Sequence, residues 1–267
     1  MTDWGTPLTD MRKAAPLVQC MTNYVSMNIM ANVLLAAGAS PAMVHAEEEA
    51  AEFAGITSAL AINIGTFSGH WLRAMEASAR VAGERGIPWV LDPVAVGATS
   101  FRNQGSTALL KLSPTIIKGN ASEVIALAGI GAGISAKGKG ADAVHGVEAA
   151  IEPAIELARQ SGAVVVATGP VDFVTDGSTH YRIANGHALM PKVTALGCAL
   201  GGIMGAFAAS GTPLLQGTVS ALAYYGLAGE LAAEGAEGPG SFALRFVDAL
   251  SQIDAEMLSE RAQVTSA

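Results

Sequence analysis

This chain has little charge, little cysteine and few aromatics. Each shortage excludes something. Only 14% of its 267 residues are Asp, Glu, Lys or Arg, and they sum to −8 with no basic run. Nucleic acid is therefore not an expected partner, because neutralising phosphates takes clustered Lys and Arg. The only cysteines are Cys20 and Cys198. Two cysteines make no disulfide framework, and a reducing cytoplasm is the simplest setting. The five histidines show no metal-ligand spacing, so no zinc site is expected. No segment has the roughly 18 unbroken apolar residues of a membrane helix. The stretch Ser26–Ala39 is too short and carries Asn28 and Asn32. The opening Met-Thr-Asp-Trp-Gly has no basic region leading into an apolar one, so no signal peptide is read.

What is present is apolar and small. Half the chain (51%) is hydrophobic, with 31 glycines. The length suits one large α/β domain or two small ones, and so apolar a chain must bury much of itself, part of it at a subunit interface. The pattern predicts strands at Leu17–Met21, Pro41–Val44, Ala59–Ile64, Trp89–Leu91, Thr115–Ile117 and Ala163–Ala167. A hairpin of Asp172–Thr175 and His180–Ile183 turns through Asp176-Gly177. Helices are predicted at Ser26–Ala37, Glu47–Gly55, Ser68–Arg85, Gly105–Leu112, Ala121–Ala128, Val147–Gln160, Gly197–Ser210, Pro213–Glu234 and Ser241–Leu258. Strands alternating with helices of this length imply right-handed crossovers and a mostly parallel sheet. The glycine-rich stretch Gly129–Gly146 reads as a mobile loop. The same pattern continues on both sides of it, so residues 1–267 are taken as a single domain.

One segment points to chemistry. In Lys192-Val193-Thr194-Ala195-Leu196-Gly197-Cys198, a loop runs into an apolar helix. Small residues there let backbone N–H groups face outward, and the helix start adds a partial positive charge. That combination suits a phosphate or a developing phosphoryl oxyanion. Cys198 falls in the first helical turn, where a thiol has a lowered pKa and can act as base or nucleophile. A small buried cysteine is the plainer alternative.

Ligands of such sheets gather at the carboxyl ends of the strands. Those ends carry Thr22-Asn23, Asn63-Ile64-Gly65-Thr66, Asp92-Pro93-Val94, Lys118-Gly119-Asn120 and Thr168-Gly169. Five polar or small ends in register exceed what turn chemistry alone requires.

These residues, with Gly38-Ala39-Ser40-Pro41-Ala42-Met43, Asn120-Ala121-Ser122-Glu123, Asp172 and Gly238-Pro239-Gly240-Ser241-Phe242, resemble the hydroxyethylthiazole kinases. The resemblance runs in order from about residue 16 to 245. It implies a ribokinase-like three-layer αβα fold, α/β in class, with a mostly parallel central sheet and helices on both faces. It implies transfer of phosphate from ATP, with Mg²⁺, to the hydroxyethyl group of 4-methyl-5-(2-hydroxyethyl)thiazole, a salvage step toward thiamine. It further implies a cytoplasmic homotrimer with active sites at subunit boundaries. Two positions depart from the family pattern. Ala195 stands where glycine is usual, which is tolerable if its φ is negative. Lys118 stands where arginine is usual, which keeps the charge and loses the bidentate fork.

Phosphoryl transfer needs positioning and charge neutralisation. By resemblance, Glu123 and Asp92 organise the metal. Asn120 and Glu123 also fit a capping box, and Asp-Pro is an ordinary strand exit. Lys118, Asn120, Thr168 and Gly169 are the candidate ATP contacts. Cys198 takes the place of a catalytic aspartate, either accepting the alcohol proton or only orienting the alcohol, and Gly197 belongs to the anion hole. Asn23, Met43 and Ala195 are the candidate substrate contacts, although a methionine after a strand is also ordinary core. His45 is read as exposed, with no role. Two alternatives stay open: a ribokinase-like kinase for another small heterocyclic alcohol, and a catalytically impaired ligand-binding homologue.

Overall fold

Along each central strand, successive side chains enter different hydrophobic clusters. Val18, Cys20, Ala59, Ala61, Val90, Ile116, Val164 and Val166 share one cluster with Leu34, Leu200 and Tyr224. Their neighbours Met21, Leu60, Ile62, Trp89 and Leu91 enter a second, and Ile117, Val165 and Ala167 a third. A sheet buried on both faces reads as continuous apolar runs, which is why Leu-Ala-Ile-Asn-Ile and Val-Val-Val-Ala show no polar alternation.

The structure is a computed structural model that describes residues 3–131 and 146–267. Its order is α1 (Thr6–Ala14), β1 (Leu17–Met21), α2 (Met27–Ala37), β2 (Ser40–Ala42), α3 (Ala50–Ala54), β3 (Ala59–Asn63), α4 (Gly69–Arg85), β4 (Trp89–Asp92), α5 (Ser100–Leu110), β5 (Ile116–Asn120) and α6 (Ala121–Gly131). There follow α7 (Ile151–Ser161), β6 (Val164–Thr168), β7 (Asp172–Thr175), β8 (His180–Ile183), α8 (Leu196–Ala208), α9 (Leu214–Ala233), α10 (Pro239–Gln252), α11 (Ala255–Arg261) and β9 (Val264–Ser266). One sheet runs β2-β1-β3-β4-β5-β6-β7-β8-β9. Pairing is parallel from β2 to β6 and antiparallel from there to β9. Helices cover both faces, so the expected three-layer αβα architecture is the one found.

Several boundaries moved for identifiable reasons. The predicted helix Ser241–Leu258 is two helices, because the Asp254 side chain accepts the Met257 N–H and caps a new start. Helix α5 begins five residues earlier than predicted, where Thr99 accepts the Arg102 N–H. The helix predicted over Glu47–Gly55 shrinks to Ala50–Ala54. Strand β2 stops at Ala42, so Met43 follows it. Strand β5 runs on through Lys118 to Asn120. Of the predicted loop Gly129–Gly146, Gly129–Gly131 form the last turn of α6, and 132–145 lie outside the described residues. Helix α1 and strand β9 were not predicted.

Two glycines are fixed by geometry, one at a helix end and one beside Asn23. Gly38 ends α2 at φ 100°, left-handed, with its N–H on the Leu34 carbonyl. A Cβ on Gly65 would lie 2.8 Å from Asn23 Nδ2, so only glycine permits that approach.

Candidate active site

Strand register assembles the site. Asn63 and Asp92 end β3 and β4 and are paired in register. Leu91 pairs with Ile117, so Asp92 comes beside Lys118 one step further along. Asn120 pairs with Thr168 across β5 and β6. The ends of β4, β5 and β6 thus face one cleft of about 230 Å³, lined by Asp92, Val94, Lys118, Asn120, Glu123, Thr168, Ala195, Gly197 and Cys198.

The N-terminus of α8 forms one wall. No side chain caps it, so its first N–H groups point outward unpaired, as helix starts do. Gly197 has open space where a Cβ would stand, which leaves room for a ligand against the backbone. Ala195 differs from the expectation that its φ be negative. It sits at φ 66°, ψ 1°, left-handed, just before the helix. A non-glycine residue there carries strain of roughly 1–2 kcal/mol.

A hydrogen-bonded chain crosses the floor. Asn23 Oδ1 accepts the N–H groups of Val25 and Ser26, each at 3.1 Å. Its Nδ2 donates to Asn63 Oδ1 at 2.8 Å and to Cys198 Sγ at 3.3 Å. Asn63 Nδ2 donates to Asp92 Oδ2 at 2.6 Å. Lys118 Nζ donates to the same Oδ2 and to the Gly197 carbonyl, both at 2.9 Å. Lys118 is thus buried and paired rather than a free phosphate contact. Among the described residues Asp92 Oδ1, also buried, has no partner.

The electrostatics follow from burial. Burial raises the Asp92 carboxyl to about 6, with Lys118 pulling it down and Glu123 pushing it up. Burial opposes the Lys118 charge, but Asp92, Glu123 and Cys198 outweigh it and hold the ammonium above its usual range. The pair is ionised at neutral pH. Burial also pushes the Cys198 thiol up, and Asp92 adds to that; Lys118 and the Asn23 hydrogen bond do not reverse it. This corrects the expectation of a lowered thiol pKa. The helix start is outweighed by desolvation and a neighbouring carboxylate. The thiol is neutral at pH 7.

Glu123 occupies the opposite wall. Its Oε2 accepts the Asn120 N–H at 2.8 Å, and Asn120 Oδ1 accepts the Glu123 N–H at 3.0 Å, a reciprocal capping box. Its Oε1 accepts the Ala95 N–H at 2.8 Å, where Ala95 is held at φ 58°. Each oxygen of Glu123 therefore already carries one backbone donor. Among the described residues no group of three His, Cys, Asp or Glu side chains could cage a metal. The donor set instead fits an ion that keeps waters and phosphates as ligands and takes one free carboxylate oxygen, Asp92 Oδ1.

The remaining candidates spread outward. Thr168 lines the cleft, and its hydroxyl donates to the Gly119 carbonyl at 3.2 Å. Gly169 does not line it; its N–H donates to Asp172 Oδ1 at 2.8 Å. Met43 packs against the main hydrophobic cluster. His45, read as exposed, is half-buried with its ring 4.6 Å from that of Trp71. Tyr24 and Val25, next to Asn23, are 64% and 58% exposed. Sequence reasoning gave no separate role to Asn63 and passed over Arg102. The Arg102 guanidinium donates to the carbonyls of Ile64, Gly65 and Val94 at 2.7–2.8 Å and ties the ends of β3 and β4 together. No motif marks an arginine that bridges the carbonyls of two strand ends.

Comparison with known proteins supplies a family. The profile of the hydroxyethylthiazole kinase family matches residues 8–256. The hydroxyethylthiazole kinase of Cereibacter sphaeroides is 58% identical over 267 residues, all of both chains. The structure of the hydroxyethylthiazole kinase protein from Pyrococcus horikoshii OT3 superposes with a TM-score of 0.91 at 39% identity, covering both chains fully. A Staphylococcus aureus pyridoxal kinase solved with AMP-PCP and pyridoxal reaches a TM-score of 0.64 at 14% identity, over 94% of this chain and 98% of that one, a likeness of fold alone.

Proposed function

The chain belongs to the hydroxyethylthiazole kinase family, and from that premise we propose how its cleft performs the reaction. The enzyme is a phosphotransferase that phosphorylates the hydroxyethyl group of 4-methyl-5-(2-hydroxyethyl)thiazole with ATP, a step that salvages the thiazole for thiamine. The observation that carries the mechanism is the convergence, on one cleft, of the uncapped α8 start, the Lys118–Asp92 pair and the Cys198 thiol.

The alcohol oxygen attacks the terminal phosphorus, the bond to the bridging oxygen of ADP breaks, and the alcohol proton departs as the new ester forms. The N–H groups of 196–198 receive the equatorial oxygens, where charge gathers in the transition state. The open side of Gly197 supports that placement. Asn23 holds Cys198 Sγ, and the neutral thiol orients the hydroxyl; the raised thiol pKa supports orientation over removal of the proton by a preformed thiolate. Lys118, clamped between Asp92 and the Gly197 carbonyl, fixes the α8 start against β4 and β5 and offsets the phosphate charge. Asn120 and Thr168 border the cleft on the ATP side, with Gly169 and Asp172 shaping the turn behind them. Met43 stands at the end of β2 for the thiazole ring.

Asp92, with its unpartnered carboxylate oxygen, and Glu123 would hold Mg²⁺ in the cleft, where it would neutralise charge on the phosphate oxygens. We take the chain as one domain over 1–267 that forms a homotrimer in the cytoplasm. The exposed Tyr24 and Val25 beside Asn23 support a neighbouring copy closing the substrate end, and the two free cysteines suit a reducing compartment. Among the described residues no helix is long and apolar enough to cross a membrane. Sedimentation giving three times the chain mass supports the assembly; a monomer at micromolar concentration removes it.

The reaction is tested by incubating the protein with ATP, Mg²⁺ and the thiazole alcohol, with pyridoxal in a parallel arm. Mass spectrometry detecting the thiazole phosphate ester is the expected result. Ester from pyridoxal alone assigns another heterocyclic alcohol, and ester from neither assigns a binding protein.

A further inference from the structure

Asn63 is buried to 2% exposure at the last position of β3, paired in register with Asp92 at the end of β4. Its amide is held at both ends. Oδ1 accepts from Asn23 Nδ2 at 2.8 Å and from the Gly65 N–H at 2.9 Å, and Nδ2 donates to Asp92 Oδ2 at 2.6 Å. An asparagine amide can be turned over without a change of shape, so its neighbours must dictate its orientation. Here they do. The N–H groups of Val25 and Ser26 fix Asn23 Oδ1, so Asn23 can only donate toward Asn63. The Gly65 N–H, a second donor on the same side, forces Asn63 Oδ1 to face both. The donor end of Asn63 is thereby aimed at Asp92.

The consequence lies at Asp92. Two donors, Asn63 Nδ2 and Lys118 Nζ, fall on Oδ2, and Oδ1 is left buried without a partner. Lys118 alone would not choose between the two oxygens, since an ammonium is a flexible point donor. A planar amide locked at both ends does choose. We infer that Asn63 is a positioning residue for phosphoryl transfer: together with Lys118 it holds one oxygen of the cleft-lining Asp92 carboxylate and leaves the other free for a ligand. Asn63 does not line the cleft and acts through Asp92. Its role separates from substrate binding because Asn23 is anchored independently by the backbone of 25 and 26.

The inference rests on the phosphoryl-transfer reading above, and that reading fails on its own if the wild-type protein makes no thiazole phosphate. Two variants test Asn63. Asn63→Leu and Asn63→Ala each remove the donor to Asp92 and the acceptor for Asn23 and Gly65, one filling the space and the other leaving it open. Each is checked for folding by circular dichroism, then measured for kcat, for KM and, by calorimetry, for the Kd of the thiazole alcohol. The expected result is a kcat lowered about 100-fold in both, the loss typical of a misplaced group near the reacting atoms, with Kd within about threefold of wild type. Either folded variant retaining kcat within threefold overturns the inference, because the donor to Asp92 is then dispensable. So does a Kd that rises as far as kcat falls, because Asn63 then serves substrate binding. A crystal structure of the wild-type protein with ADP and Mg²⁺ decides the matter without any variant. Ligand contact through the Asp92 oxygen that Asn63 does not hold supports the inference, and contact through the oxygen that Asn63 holds, or loss of the Asn63 bond, overturns it.

Discussion

Replacing Lys118 by methionine strands a buried carboxylate. Asp92 is 2% exposed, and its Oδ2 then keeps only the Asn63 amide as a donor. Methionine fills much of the lysine stem, so the loss is mainly electrostatic. Breaking a buried ion pair from one side costs about 3–5 kcal/mol, because the remaining charge stays out of water without its partner. The sign of the pH dependence is fixed by the carboxyl. In the folded protein it lies at about 6, raised by burial from a usual 3.8. A folded value above the unfolded one means the native state holds the proton more tightly, so this group's contribution to stability falls as pH rises between the two. Lys118 is the cation that restrains the rise. Without it the folded value moves above 6, and the window of falling stability extends upward. The penalty of Lys118→Met is therefore greater near pH 8 than near pH 5, by about 1.4 kcal/mol for each unit the carboxyl moves. Urea unfolding of wild type and variant at both pH values measures it, and Asp92→Asn added to Lys118→Met recovers most of the loss. Equal penalties at the two pH values, or less than about 1 kcal/mol near pH 8, refute the reasoning.

Three further outcomes follow from the same cleft. Ala195→Gly relieves roughly 1–2 kcal/mol of left-handed strain but frees the unfolded chain by a similar amount, so stability changes by less than about 1 kcal/mol; kcat/KM for ATP rises as a methyl leaves the cleft, and a fall in kcat/KM contradicts the geometry. Cys198 reacts slowly with iodoacetamide at neutral pH, with a rate that climbs only above the usual thiol range near 8.5; an inflection below about 8 would show a thiolate that the site does not support. Glu123→Gln loses one of two oxygens that hold the Ala95 and Asn120 N–H groups, so it costs about 1–3 kcal/mol of stability as well as turnover; an unchanged melting temperature would return Glu123 to a purely metal-directed role.

Much of the framework was legible because strand ends follow simple patterning. Leu17–Met21, Asp172–Thr175 and His180–Ile183 were placed to the residue, since buried runs and an Asp-Gly turn are local signals. The split at Asp254 was missed because Asp254 had to be read as a cap inside a run that continues on both sides. Helix α1 is nine residues long and buries only Pro7, Leu8 and Met11, and β9 is a three-residue edge strand; both depend on tertiary contacts. In the site, Asp92, Lys118, Asn120, Thr168, Gly197 and Cys198 were all named, and one cleft gathers them. Their relations were not legible. Whether a lysine is free or paired, whether a thiol is raised or lowered, and whether Ala195 has positive φ are set by register and burial across five strands. Asn63 stood in plain view at a strand end, but its part in orienting Asp92 exists only once β3 and β4 are aligned.

The α8 start and the Asp92–Lys118 pair receive the transferred phosphate, and Cys198 and Asn23 receive the alcohol. A crystal structure of the protein with the thiazole alcohol, Mg²⁺ and a non-hydrolysable ATP analogue tests this placement. The terminal phosphate is expected on the N–H groups of residues 196–198, with the hydroxyl oxygen between that phosphorus and Cys198 Sγ. A terminal phosphate bound away from the α8 start, or a hydroxyl out of hydrogen-bonding reach of Cys198, would contradict it.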